Sequence, residues 1–131
     1  MSRPNVRVVT AEIQRDGCYL INQRKATAVL PLLWEFPGGR VRSGETDVEA
    51  LTRAVRERVG VRVEVGEQVL ETVHEYEQWG VTLLVYRCRI PEGEPFAHNV
   101  AAVAWVPPED FEDYTFPGAD QATIEQLLKD A

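Results

Sequence analysis

The chain has 131 residues, of which 44% are apolar or aromatic, enough for one hydrophobic core and too short for two substantial domains, so residues 1–131 are expected to form a single domain. Fourteen Lys and Arg stand against 21 Asp and Glu, a formal charge of −7, which argues against a protein that grips duplex nucleic acid through its phosphates, since that needs a net basic face. No apolar run approaches the roughly 20 residues of a bilayer span, no charged-then-apolar leader opens the chain, and two cysteines, Cys18 and Cys88, are too few for a disulfide framework or a zinc site. A cytoplasmic protein with reduced thiols in its core is the expectation.

In chain order, Val6–Ile13 reads as a strand rich in β-branched residues. Asp16-Gly17 then suits a hairpin turn into Cys18–Ile21. Arg24–Leu33 reads as a loop, and Trp34-Glu35-Phe36-Pro37-Gly38-Gly39 as punctuation. Thr46 opens the best helix in the sequence, because Glu49 three residues on completes a capping box. Val48, Leu51, Val55 and Val59 form its expected buried stripe, and Gly60 is placed to end it. Val61–Thr72, Val81–Ile90 and Val100–Val106 read as further strands. Phe111–Gly118 is an aromatic-bearing loop, and Ala119–Lys129 a second helix with Ile124, Leu127 and Leu128 inward. Hairpin-linked strands with two interspersed helices suggest an α+β sandwich.

Gly39, Glu45, Arg53, Val55, Glu57, Gly60 and Val61 fall in register with the Nudix box, whose order is Gly, five residues, Glu, seven residues, Arg-Glu-apolar-any-Glu-Glu-any-Gly-apolar. The chain resembles MutT-like and CTP-pyrophosphohydrolase-like members of that family. The likeness extends from Leu33–Gly39 to Ala104–Glu109 and Phe116–Asp120. It implies the Nudix fold, a mixed β-sheet sandwiched between α-helices, and a Mg²⁺- or Mn²⁺-dependent hydrolase acting on a nucleoside diphosphate linkage. By resemblance, Arg53 is structural and braces the loop against Glu45, while Gly38 and Gly39 are backbone devices. A main-chain carbonyl at Gly39 could also reach a metal.

The helix pattern departs from the family where metal chemistry needs it. Three glutamates at positions 54, 57 and 58 would share one helix face and form a nest of hard oxygens. Here they are Ala54, Glu57 and Arg58. A fourth family glutamate should fall near His98-Asn99, where neither residue is a carboxylate. A single carboxylate holds Mg²⁺ poorly, because Mg²⁺ needs near-octahedral oxygen ligation. A guanidinium, however, is a permanently charged, forked phosphate ligand. One reading therefore has Arg58, with Arg40, Arg42 or Arg56, taking part of the cation's role.

Each candidate keeps a plainer alternative. Glu57 is either a residual metal ligand or an exposed partner of Arg53. Glu45 and Glu49 could be recruited as ligands, although the capping box accounts better for Glu49. Arg58 is either a phosphate ligand or a solvated arginine. Phe36, Tyr114 and Phe116 are candidates to stack on a base, with core packing as the alternative for Phe36 and Phe116. Asp120 falls where the family reads a purine edge, and it could equally cap the last helix. As an aspartate it donates a hydrogen bond only when protonated. His74, Glu75 and Glu77 read as solvated residues. The expected ligand is a nucleoside phosphate, with metal-dependent hydrolysis weak or absent. An active hydrolase and a regulatory or protein-interaction module are the alternatives.

Overall fold

The computed structural model describes residues 4–130. Strand β1 (Asn5–Arg15) is the hub of a mixed sheet. It runs parallel to β6 (Gly80–Arg89) from Asn5↔Gly80 to Ile13↔Cys88, and antiparallel to the short β4 (Gly38–Arg40) on its other side. At its end it turns through Asp16-Gly17, both at positive φ, into β2 (Cys18–Gln23). β2 pairs with β3 (Trp34–Glu35) and with β7 (Ala102–Val106). β5 (Glu64–Glu75) forms the outer strand against β6.

Alternation along the strands sends side chains to opposite faces. Val9, Ala11, Ile13, Leu20 and Leu84 meet Leu51, Val55 and Val59 of helix α1 (Asp47–Val59). Tyr19, Ile21 and Val106 instead meet Phe36, Phe111, Phe116 and the Ile124 and Leu127 side chains of helix α2 (Gln121–Asp130). The sheet thus carries helices on both faces, the α+β arrangement expected from the sequence.

Helix α1 begins as its sequence dictates. The Thr46 hydroxyl accepts from the Glu49 amide at 3.1 Å, and the Glu49 carboxylate accepts from the Thr46 amide at 2.9 Å. It ends at Gly60, whose φ of 73° requires the left-handed region, with Phe96 lying where a β-carbon would stand. One expectation fails within it. Val48 is 49% exposed, because the buried arc runs through Ala50, Leu51, Ala54, Val55 and Val59 and leaves the first turn outside. Leu128 on α2 is likewise 48% exposed, while Ile124 and Leu127 are buried.

Other differences follow from pairing that sequence periodicity does not report. The Trp34–Gly39 segment forms two short strands, not punctuation alone, because β2 and β1 supply partners. β5 starts at Glu64 and runs on through His74 and Glu75, since its extent is set by β6 across two register irregularities. Val61 and Val63, expected in that strand, are buried in the connection before it. The last helix begins at Gln121, preceded by a single 3-10 turn at Gly118–Asp120.

Candidate functional site: a cleft with arginines at one end

A cavity of roughly 470 Å³ opens on the α2 side of the sheet. Its floor is Val6, Val8 and Thr10 of β1 with Val81 and Leu83 of β6. Tyr76 and Trp79, at the hairpin joining β5 to β6, form one wall, with rings stacked at 4.5 Å between centroids and 22° apart. Val29 and Leu30 contribute from the loop before β3, and Pro117, Ala119 and Asp120 from the turn before α2. The Tyr76 hydroxyl accepts from the Ala119 amide at 3.1 Å and ties the hairpin to that turn. Gly38 makes the inner edge possible, since a β-carbon there would stand 2.0 Å from the Val9 carbonyl oxygen.

Polar groups converge at two places. At the first, Asp120 is only 5% exposed. Burial pushes its pKa well above the ordinary aspartate value, the nearby Glu35 charge adds to the rise, and Arg24 opposes it. It therefore keeps its proton to a higher pH than a solvated aspartate does, and it closes the 3-10 turn at Gly118–Asp120, directly before Gln121, the first residue of α2. Thr10, on the floor, keeps a buried Oγ1 for which no hydrogen-bond partner is found among the described residues, a costly arrangement in a closed core.

At the second place, Glu35 collects cations. Its Oε1 accepts from Arg24 Nη1 at 2.8 Å, and its Oε2 from Asn22 Nδ2 at 3.1 Å and from Arg58 Nε at 3.4 Å. Arg40 lines the same end. Against the chain's net −7, this end presents three guanidiniums and one glutamate side chain.

The Nudix-box residues assemble beside this end. Arg53 donates Nε and Nη2 to the two Glu45 oxygens at 2.7 and 3.0 Å, and Nη2 also to the Arg40 carbonyl at 2.9 Å. With the Arg42 amide as a further donor, this holds the Glu45 pKa down to about 2. Glu57 sits 3.3 Å from Arg53 Nη1 and 3.9 Å from Arg42 Nη2. Ala54 is fully buried, and its β-carbon is 3.1 Å from where a Gly39 β-carbon would stand. Arg58 Nη1 and Nη2 approach the same point at 3.5 and 3.7 Å. His98 Nδ1 contacts the Glu57 carbonyl at 2.9 Å, and Asn99 Oδ1 accepts from Lys25 Nζ.

This donor set does not fit a hard divalent cation. The two remaining carboxylates, Glu45 and Glu57, are each paired with arginine, Glu49 is committed to the capping box, and Arg58 brings a positive charge to the same face. Among the described residues no group of three His, Cys, Asp or Glu is placed to hold a metal ion.

Of the residues singled out from sequence, Phe36, Gly38, Gly39, Arg58 and Asp120 line the cavity. Tyr114 and Phe116 do not. Tyr114 packs edge-on against Trp34 at 5.0 Å, and Phe116 stacks with Phe36 at 5.4 Å in the core beneath α2. Sequence reasoning passed over Tyr76, Trp79, Thr10, Arg24 and Glu35. Glu35 stood within the Trp34–Gly39 segment that carries the resemblance, and it was the one signal available; the aromatic pair depends on a hairpin whose position only the strand register reveals.

Comparison with known proteins agrees with this framework. The family model of the NUDIX domain matches residues 8–126. The chain is 35% identical over 125 residues to a CTP pyrophosphohydrolase of Escherichia coli (strain K12), covering 94% of this chain and 91% of that one. It is 34% identical over 128 residues to a putative 8-oxo-dGTP diphosphatase 2 of Mycobacterium tuberculosis, covering 95% and 89%. The solution structure of the E. coli ORF135 protein superposes with a TM-score of 0.80 at 33% identity, over 97% of this chain and 91% of that one. With the sheet and helices in the expected arrangement and the family model matched over residues 8–126, the chain belongs to the Nudix family.

Proposed function

We propose that this protein recognises a nucleoside phosphate in the cleft, and that metal-dependent hydrolysis by it is weak or absent. The apolar floor and the Tyr76–Trp79 wall suit a base, because flat aromatic faces accept one without regard to its edge. Asp120, whose burial favours the neutral carboxyl, suits the base edge, and the arginine end suits phosphate. The nucleotide substrates in the relatives' names support the ligand class. The observation that carries the weak-hydrolysis half is the helix face itself, where Ala54 and Arg58 stand at two carboxylate positions and the remaining Glu57 is paired with Arg53.

The test is a thermal-shift panel of nucleoside mono-, di- and triphosphates with and without Mg²⁺ and Mn²⁺, run beside a phosphate and pyrophosphate release assay. Stabilisation by at least one nucleotide, with turnover near background, is the expected result. Brisk Mg²⁺-dependent turnover establishes instead an active hydrolase of a nucleoside diphosphate linkage, the reading that the relatives' names favour. No stabilisation by any nucleotide points to a regulatory or protein-interaction module.

A further inference from the structure

Resting on the nucleoside-phosphate reading above, we infer that Arg58 receives the phosphates directly, so that the ligand is the free polyanion and Mg²⁺ weakens its binding. Three features of the molecule carry this. First, Arg58 is anchored but not consumed. Its Nε faces Glu35, and that carboxylate is itself fixed by Arg24 and Asn22. No hydrogen bond from Nη1 or Nη2 to an acceptor is found among the described residues, so the forked edge remains available at the cleft. The Arg58 side chain is 26% exposed, enough to be reached and too little to be freely solvated.

Second, the substitutions at 54 and 58 are complementary in space. Gly39 has no side chain, Ala54 has a single carbon, and both border the point that the Arg58 Nη atoms approach. A longer residue at either position would crowd the guanidinium. Third, the charge at this end is already what a polyphosphate needs. Arg58 and Arg40 face the cleft, while the nearest box carboxylates are paired with Arg53 and Arg42. A bound divalent cation would meet guanidiniums where the donor set would have to supply oxygen. A nucleotide that brings its own Mg²⁺ arrives with less negative charge and adds cation–cation repulsion. In a metal-dependent site the ion bridges protein to phosphate, so the sign of the Mg²⁺ effect separates the two designs.

Calorimetry tests this with inorganic pyrophosphate and with CTP, each in EDTA and in millimolar Mg²⁺. For the unaltered protein, both probes bind more tightly in EDTA. Arg58→Gln weakens pyrophosphate binding about tenfold or more, the scale of one lost charge-assisted contact. Arg24 and Asn22 still hold Glu35 in that variant, so the fold is expected to persist, which circular dichroism checks. Arg58→Lys provides the same comparison with the charge retained; it loses the fork, and its pyrophosphate affinity is expected to fall below that of the unaltered protein. Tighter binding in Mg²⁺, or unchanged pyrophosphate affinity in the folded variants, overturns the inference while leaving nucleotide recognition standing. Pyrophosphate binding through Arg58 with CTP and the other nucleotides binding no more tightly supports the phosphate site and overturns the nucleoside reading. Binding of neither probe overturns the inference, and binding of no nucleotide of the panel overturns the nucleoside reading as well.

Discussion

Asp120 holds its proton to a higher pH than a solvated aspartate because its carboxyl is enclosed and Glu35 lies near it, and that has consequences for stability and for binding. Between the ordinary aspartate pKa and its raised folded value, the unfolded chain releases this proton while the folded chain retains it. Stability contributed at this residue therefore falls as pH rises through that window and levels off above the folded pKa. Asn keeps a donor and an acceptor at this position without a titration, so Asp120→Asn should be at least as stable as the parent at neutral pH and lack this slope. The comparison is two denaturant titrations across pH. In binding, the neutral carboxyl can donate to a base edge and the carboxylate cannot. Affinity for the preferred nucleotide should fall as pH rises through the raised Asp120 pKa, whereas the Asn variant stays flat relative to it. Parallel pH profiles for parent and variant would remove Asp120 from base recognition. The sequence placed this residue but could not assign its protonation, which depends on enclosure by Pro117–Ala119 and on a glutamate 85 positions away.

Helix α1 shows which part of an element is written locally. Its start and stop depend on side chains within a few residues, Thr46 with Glu49 and Gly60 with its own positive φ, and both were legible. Its buried arc was legible at Leu51, Val55 and Val59 and misread at Val48, because helical spacing gives direction around the axis and not how far the sheet extends beneath the first turn. The same limit applies to Leu128. Strands β3 and β4, two and three residues long, have no periodicity to read and exist because β2 and β1 offer ladder partners. Since the Thr46 cap satisfies amides that the helix itself leaves open, Thr46→Ala should cost about 1 kcal/mol. Urea unfolding of the two proteins measures it. A cost near zero would mean that solvent or a neighbouring group replaces the cap. The loss should spread to the cleft, because the loop that this cap anchors also carries Glu45, the brace of Arg53.

At the scale of the whole molecule, the proposed reading separates the family framework from the metal-dependent chemistry that the resemblance implies. The framework was legible because box glycines, helix signals and strand order agreed over nearly the whole chain. The cleft was only half legible: it is made by convergence of β1, β6, the Tyr76–Trp79 hairpin and the Pro117–Asp120 turn, segments distant in sequence. If the framework remains that of a hydrolase, restoring the helix face should restore a metal site. Ala54→Glu with Arg58→Glu places three carboxylates with Glu57 on one face and removes the guanidinium beside Gly39. Position 54 is fully buried, so without a cation the new carboxylates repel and the variant should be less stable than the parent. Mg²⁺ should then raise the melting temperature of the variant and leave that of the parent unchanged, since a ligand stabilises only the state that binds it. Mg²⁺-dependent release of phosphate or pyrophosphate from a nucleoside triphosphate panel should rise about tenfold or more, because each ~1.4 kcal/mol of transition-state stabilisation is tenfold in rate. The absence of a carboxylate at His98-Asn99 limits the recovery. A parent that already turns over briskly refutes the view that the lost glutamates disabled it. A variant that folds, gains Mg²⁺ and nucleotide binding and stays inert shows that more than the helix face has changed, and leaves a dedicated binding module on a Nudix frame.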